Sequence, residues 1–183
     1  MALSELENGS CDYWDYTLPV DQFVKKYLTK FLEIRETRVS DSGQNYKYLS
    51  GSPCTEALCT SASYVISLAD GTNLVVSQYT GFNTGRVVVV DVNGDKQPNT
   101  IGKDVFTFSI QPKVKVAPFG YGKFGGAWDD SSSDEYVNQI FGKYDRSVLT
   151  GDGTYACRKG KRGFWCAALI LSDGWEIRDD YPW

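Results

Sequence analysis

The chain has 183 residues, of which 42% are hydrophobic and 23% charged, and this length and composition predict one folded domain over residues 1–183. The 19 Lys and Arg against 23 Asp and Glu leave a net charge of −4, which argues against a dedicated nucleic-acid binder. The sequence has no histidine, and this excludes Ser-His-Asp and Cys-His catalytic systems and the two-histidine zinc proteases.

The first predicted element is an amphipathic helix over residues 21–35. Its apolar side chains fall at positions 23, 24, 27, 28, 31, 32 and 34, which is helical spacing. Asp21, just after Pro19, is the expected N-cap because its carboxylate can accept hydrogen bonds from the amides of the first turn. A second, shorter helix is predicted over residues 134–146.

Three hairpins are predicted in the rest of the chain, because apolar runs alternate with turn signals. The first turns at Asp70 and Gly71, and the second encloses the loop 91–104. The third pairs a strand over 164–171 with another over 175–177.

Successive hairpins without intervening helices indicate an antiparallel meander. The predicted fold class is therefore α+β, an antiparallel sheet of hairpins packed on the N-terminal amphipathic helix. Residues 111–163, rich in glycine and polar residues, are predicted to be an irregular surface excursion.

The five cysteines fall into two close pairs, Cys54 with Cys59 and Cys157 with Cys166, and Cys11 is left over. Proximity predicts two small disulfide-closed loops and an oxidising compartment. A four-cysteine zinc site is one alternative, although the gap between Cys157 and Cys166 fits zinc-ligand spacing poorly. A set of reduced, buried thiols is the other.

The loop 91–104 is a candidate cation site. Asp91, Asn93 and Asp95 place oxygen-bearing side chains at alternating positions, and Asp104 adds a further carboxylate, which suits a hard cation such as Ca²⁺. The glycines do not match the EF-hand pattern. The alternative is a purely structural turn, because Asn-Gly is the strongest short hairpin signal.

Other residues allow further functions. Four cations lie within the second cysteine loop and predict either a docking site for an anionic partner or a solvated loop: Arg158, Lys159, Lys161 and Arg162. The tryptophans predict either a sugar-binding surface or core and subunit contacts: Trp14, Trp128, Trp165, Trp175 and Trp183. The acid pairs Asp129–Asp130 and Asp179–Asp180 leave a carboxylate-based hydrolase as a weaker hypothesis.

Three segments carry a resemblance to a known family. The sequence DVNGDKQPNTIGKDVF at 91–106 resembles the D-x-NG-x-x-x-PN-x-x-G-x-D-x-F segment of bacterial type IV pilin-like and type II secretion pseudopilin-like proteins. The sequence YVISLADGT at 64–72 is similar to a strand pair of these proteins, and CAALILSDGWEIRDDYPW at 166–183 is similar to their C-terminal strand and tail. The first segment is fairly specific and the other two support it.

The resemblance implies a non-enzymatic structural subunit of a pilus or secretion pseudopilus, exported to the cell surface or periplasm. Its partners would be other pilin or pseudopilin subunits. An apolar N-terminal helix would attach it to the inner membrane, and we expect that truncation has removed this helix. Calcium binding by some pseudopilins adds weight to Asp91, Asn93, Asp95 and Asp104 as ligands. The alternative function is a secreted carbohydrate- or surface-binding module.

Overall fold

A six-stranded antiparallel sheet dominates the computed structural model, which describes residues 14–41, 44–77, 86–111, 115–121 and 144–183. Each strand pairs with its neighbours in the chain, so the sheet is a meander in the order β1 to β6. The strands are β1 Ile34–Ser40, β2 Ser63–Leu68, β3 Asn73–Ser77, β4 Arg86–Asp91, β5 Val105–Gln111 and β6 Lys115–Pro118.

The helices of the described residues are short. They are α1 Val20–Tyr27, α2 Ala57–Thr60, α3 Arg146–Leu149 and α4 Cys166–Ser172, with a 3₁₀ turn at Thr29–Phe31. Within the described ranges, none of them has the length and apolar content needed to cross a membrane.

The predicted helix over 21–35 is wrong. α1 begins at Val20 and ends at Tyr27, and the chain enters β1 at Ile34. Asp21 is not the N-cap but lies in the first turn, where its carboxylate is 3.3 Å from Nζ of Lys25. The second half of the predicted helix divides into a 3₁₀ turn at Thr29–Phe31 and the start of β1, where Ile34 pairs with Leu68 of β2, so tertiary pairing overrides helical periodicity at its end.

The predicted fold class is wrong for the same reason. The described residues contain no long N-terminal amphipathic helix that carries the sheet, and they form mainly sheet with a few short helices. Two of the three predicted hairpins are confirmed. β2 and β3 pair antiparallel around Asp70 and Gly71, and β4 pairs antiparallel with β5 around the loop 91–104.

The third predicted hairpin is also wrong, since residues 166–172 form α4. A short apolar run fits a buried strand and a buried helix equally well, and packing decides between them. Here Cys166 to Leu169 are all buried against the sheet.

The segment 111–163 lies partly outside the described residues. Its described parts include β6 and α3, and they bury Phe119, Leu149 and Tyr155 in the core. These parts therefore contribute to the core as well as to the surface. The predicted helix over 134–146 falls mostly outside the described residues, and α3 begins only at Arg146, after the N-cap Asp145.

Both faces of the sheet are apolar. On one face Val65, Val75 and Val89 pack with Phe164 and Leu169, which brings the C-terminal part of the chain onto the sheet. On the other face Ile66, Val76 and Val88 pack with residues of α1. Because α1 has only two turns, it covers one part of this second face.

Candidate functional site

The β4–β5 loop, residues 92–104, is organised around the buried carboxylate of Asp104. One oxygen accepts hydrogen bonds from the backbone amide of Asn99 at 2.8 Å and from Nδ2 of Asn93 at 2.9 Å. The other oxygen accepts from the backbone amide of Thr100 at 2.6 Å. Asp104 is 5% exposed, so these three bonds take the place of water around the charge.

The loop also holds distant segments together. The carbonyl of Asn99 accepts from the amide of Lys47 at 2.9 Å, and the carbonyl of Gly102 accepts from the hydroxyl of Tyr181 at 2.6 Å. Gly102 has a φ of 84°, and a Cβ there would lie 2.6 Å from Sγ of Cys166. The segment 91–106, which resembles pilin-like proteins, thus connects the sheet, the second disulfide and the C-terminal tail.

Asp91, the last residue of β4, is a buried acid. It is 2% exposed and hydrogen-bonds to the hydroxyl of Tyr46. The pKa of Asp91 is raised to about 7, chiefly by burial and also by the nearby carboxylates of Asp104 and Asp95, while the backbone amides of Asn93 and Gly94 oppose the shift. The same burial, together with the charge of Asp91, raises the pKa of Tyr46.

Asp95 is turned away from this buried group. Its side chain is 71% exposed and accepts from Nη2 of Arg38 at 2.8 Å and from Nδ2 of Asn73 at 3.2 Å. The structure therefore links Asn93 to Asp104 and keeps Asp91 nearby, but it assigns Asp95 to a contact with β1 and β3.

The predicted cation site fits the loop only in part. Within the described residues there is no group of three or more acidic, cysteine or histidine side chains arranged to hold a metal. Three buried oxygens of this region nevertheless have no hydrogen-bond partner: Oδ1 of Asp91, Oδ1 of Asn93 and Oδ1 of Asn99. Such acceptors are what a hard cation or an ordered water would satisfy.

Asn99 was missed as a candidate ligand. Its position beside Pro98 predicts a turn, and the structure confirms the turn, with a φ of 50° at Asn99 after a cis Gln97–Pro98 bond. Its side-chain oxygen is buried only because the loop folds back on Asp104, which no local pattern in the sequence indicates.

The cysteine pairing is confirmed. Cys54 is bonded to Cys59 and Cys157 to Cys166, and all four residues are buried. Cys11 lies outside the described residues.

Arg162 connects the two disulfide loops. Its guanidinium pairs with Glu56 and lies 5.1 Å from the ring centroid of Tyr48 and 5.4 Å from that of Tyr155. Arg158 pairs with Asp152 at 2.7 Å, and Lys161 donates to the carbonyl of the same residue at 2.6 Å. Much of the basic cluster is therefore engaged within the molecule.

An apolar groove lies on the second face of the sheet, beside the segment that follows α1. Its volume is about 230 Å³. The side chains that define it include Leu28, Leu32, Leu74, Val90, Phe108 and Val116. A sheet with one face already buried normally presents polar side chains on the other, so this apolar groove is a candidate contact surface.

Comparison with known proteins gives one match. A family model described as a family of unknown function (DUF6613) matches residues 1–183. The chain belongs to this family. No curated protein and no solved structure matches it. The function of this DUF6613 chain therefore has to be argued from its geometry.

The aromatic and acidic candidates separate into buried and exposed groups. Trp14 and Trp165 are core residues, whereas Trp175 and Trp183 are each 61% exposed. Asp180 is bound by Arg146, which holds the pKa of that carboxyl below its usual value. Trp128 and the pair Asp129–Asp130 lie outside the described residues.

Proposed function

We propose that the protein is an exported, non-enzymatic structural subunit of a cell-surface filament, of the type IV pilus or type II secretion pseudopilus kind. The observation that carries this proposal is the apolar groove on a sheet whose opposite face is already buried. A subunit that packs on an apolar helix needs a surface of this kind.

The resemblance of residues 91–106 to pilin-like proteins supplies the partner. In those proteins an apolar helix holds the subunit in the inner membrane before assembly and lies against the sheet. The groove, bordered by Leu32 on one side and Val90 and Phe108 on the other, offers a matching surface. Assembly then consists of packing, and the subunit needs no reactive centre.

The two disulfides support export to the cell surface or periplasm. Disulfides form and persist in oxidising compartments and are rare in reducing ones. Closing loops at Cys54–Cys59 and Cys157–Cys166 restricts the unfolded chain and so stabilises the folded one outside the cell.

The test is incorporation into filaments of the native organism. Surface filaments are sheared from cells that express tagged chain and are probed for the tag. Val90→Glu places a charge in the groove and is expected to abolish incorporation, because a carboxylate cannot be buried there without a partner. Val92→Glu is the matched control, since Val92 is 50% exposed and does not line the groove. If the wild-type chain is absent from the filaments, the proposal is wrong.

Calcium at the β4–β5 loop is proposed as an accessory of this function. Asp91, Asn93 and Asn99 would provide its oxygens, because these are the buried acceptors left without partners. Millimolar Ca²⁺ in place of EGTA is then expected to raise the melting temperature, and Asp91→Asn to remove the increase. Asp95→Asn makes the same chemical change on the carboxylate bound by Arg38 and should leave the increase intact.

The second candidate function is a secreted carbohydrate- or surface-binding module. It is favoured by the exposed side chains of Trp175 and Trp183, because exposed indole rings can stack on sugars. A glycan array probed with the purified chain tests it. The binding module replaces the first proposal if the chain binds glycans, if Trp175→Ser abolishes this binding, and if the chain does not enter filaments.

A further inference from the structure

Exposed apolar side chains are concentrated at the C-terminal end of the chain. Trp175, Ile177 and Trp183, the C-terminal patch, are 61%, 49% and 61% exposed. They are three of the eight large hydrophobic side chains exposed in the described residues, and they fall within nine positions. Such clustering is typical of an interaction surface, and tryptophan is the residue most often found at its energetic centre.

The C-terminal patch is held in a fixed position. Asp173 is buried, accepts a hydrogen bond from Nε of Arg146 at 2.8 Å and forms an ion pair with Nε of Arg178 at 3.3 Å. Asp180 accepts from Nη2 of Arg146 at 2.8 Å, and Tyr181 donates to the carbonyl of Gly102. A surface fixed before binding loses little conformational freedom when a partner arrives.

The backbone at Trp175 is strained. Its φ is 65°, in the left-handed region, which disfavours bulky side chains. The amide of Trp175 bonds the carbonyl of Ile170 and so closes the end of α4. The fold thus holds an indole outward at a conformational cost, although the ring gains no burial in return.

A second exposed surface has the opposite character. Arg158, Lys159 and Gly160, the basic tip, are exposed at the end of the loop that Cys157–Cys166 closes. Lys161 donates a hydrogen bond to the carbonyl of Asp152 and Arg162 pairs with Glu56, and these contacts hold the loop in place. Arg158 is paired with Asp152, so Lys159 carries the net positive charge of the basic tip, on a chain whose net charge is −4.

We propose that the C-terminal patch of one copy binds the basic tip of the next copy in the filament. The patch carries exposed carboxylates at Glu176 and Asp179, which complement the cations, and an ammonium or guanidinium group can lie over the ring of Trp175. This inference rests on the proposed filament function and deepens it by naming the contact between subunits.

The contact joins two different surfaces of the chain, since the basic tip precedes α4 and the C-terminal patch follows it. Such a heterologous contact, repeated from copy to copy, builds an open helical filament when the repeat does not close into a ring.

Disulfide trapping in sheared filaments tests the contact. Lys159→Cys and Glu176→Cys are combined in a Cys11→Ser background and the filaments are mildly oxidised. We expect a ladder of covalent multimers on non-reducing gels. Lys159→Cys with Glu36→Cys is the control, because Glu36 is exposed on β1 and belongs to neither surface, and it should give no ladder.

A charge exchange provides a second readout. Lys159→Glu is expected to lower the filament yield roughly tenfold, and Glu176→Lys in the same chain should restore most of it. If the wild-type chain is absent from the filaments, the proposed function itself is contradicted. If the chain is present but neither the ladder nor the rescue is seen, only this contact is contradicted. A Trp175→Ser chain that assembles normally but loses binding to a glycan array assigns the patch to sugars and also overturns it.

Discussion

Removal of the Asp104 carboxylate should destabilise the protein more than removal of any exposed acid. The side chain is 5% exposed and accepts hydrogen bonds from the amides of Asn99 and Thr100 and from the side chain of Asn93. A hydrogen bond to a charged group contributes about 1.5–3 kcal/mol, and a buried donor left without a partner adds its desolvation cost. Because the three bonds share one acceptor group, we expect Asp104→Ala to lower the free energy of unfolding by about 4 kcal/mol.

Urea unfolding in EGTA, followed by the fluorescence of the buried Trp165, measures this loss without any contribution from bound metal. Asp104→Asn keeps one acceptor oxygen and should lose about 2 kcal/mol, which leaves a folded variant to measure if the alanine variant does not fold. Asp95→Ala is the control, since its carboxylate is 71% exposed and its pairing with Arg38 is worth less than about 1 kcal/mol. Equal effects of Asp104→Ala and Asp95→Ala would refute the reasoning.

Three further predictions follow from the buried groups. Asp91 binds its proton more tightly in the folded state, so its contribution to stability is complete below its ordinary pKa of 3.8 and is lost as the pH rises to about 7. Urea unfolding in EGTA at several pH values measures the difference in unfolding free energy between wild type and Asp91→Asn. This difference should fall by at most ~4 kcal/mol over this pH interval, and a difference that does not change with pH contradicts the burial of the charge. Arg162→Ala should lower the free energy of unfolding by about 3 kcal/mol and Arg158→Ala by less than about 1 kcal/mol in the same assay, because Arg162 pairs with the largely buried carboxylate of Glu56 and Arg158 with the exposed carboxylate of Asp152. Cys157→Ser should lower the melting temperature by several degrees through loss of its loop closure, and an unchanged calorimetric scan contradicts it.

The features predicted from sequence were those fixed by neighbouring residues. The turn at Asp70 and Gly71 was correct because its chemistry is local, and Gly71 adopts a φ of 94° that this residue allows. The cysteine pairs were correct because short loops hold their partners close.

The features missed were those decided by contacts between distant segments. The residues after Tyr27 leave the helix because β2 offers a ladder, and residues 166–172 are helical because they pack on the sheet. The position of Arg162 between two tyrosines, and the free oxygen of Asn99, likewise depend on segments far apart in the chain. Local patterns carry no information about such contacts.

The depth of the sulfur atoms has a chemical consequence for the lifetime of the molecule. All four bonded cysteines are at most 7% exposed, so an attacking thiolate cannot approach either bond along the direction that exchange requires. Reduction must wait for the chain to open, and its rate should therefore level off as the concentration of reductant rises. Once oxidised, the protein would keep its cross-links through passing changes in the redox state of its surroundings.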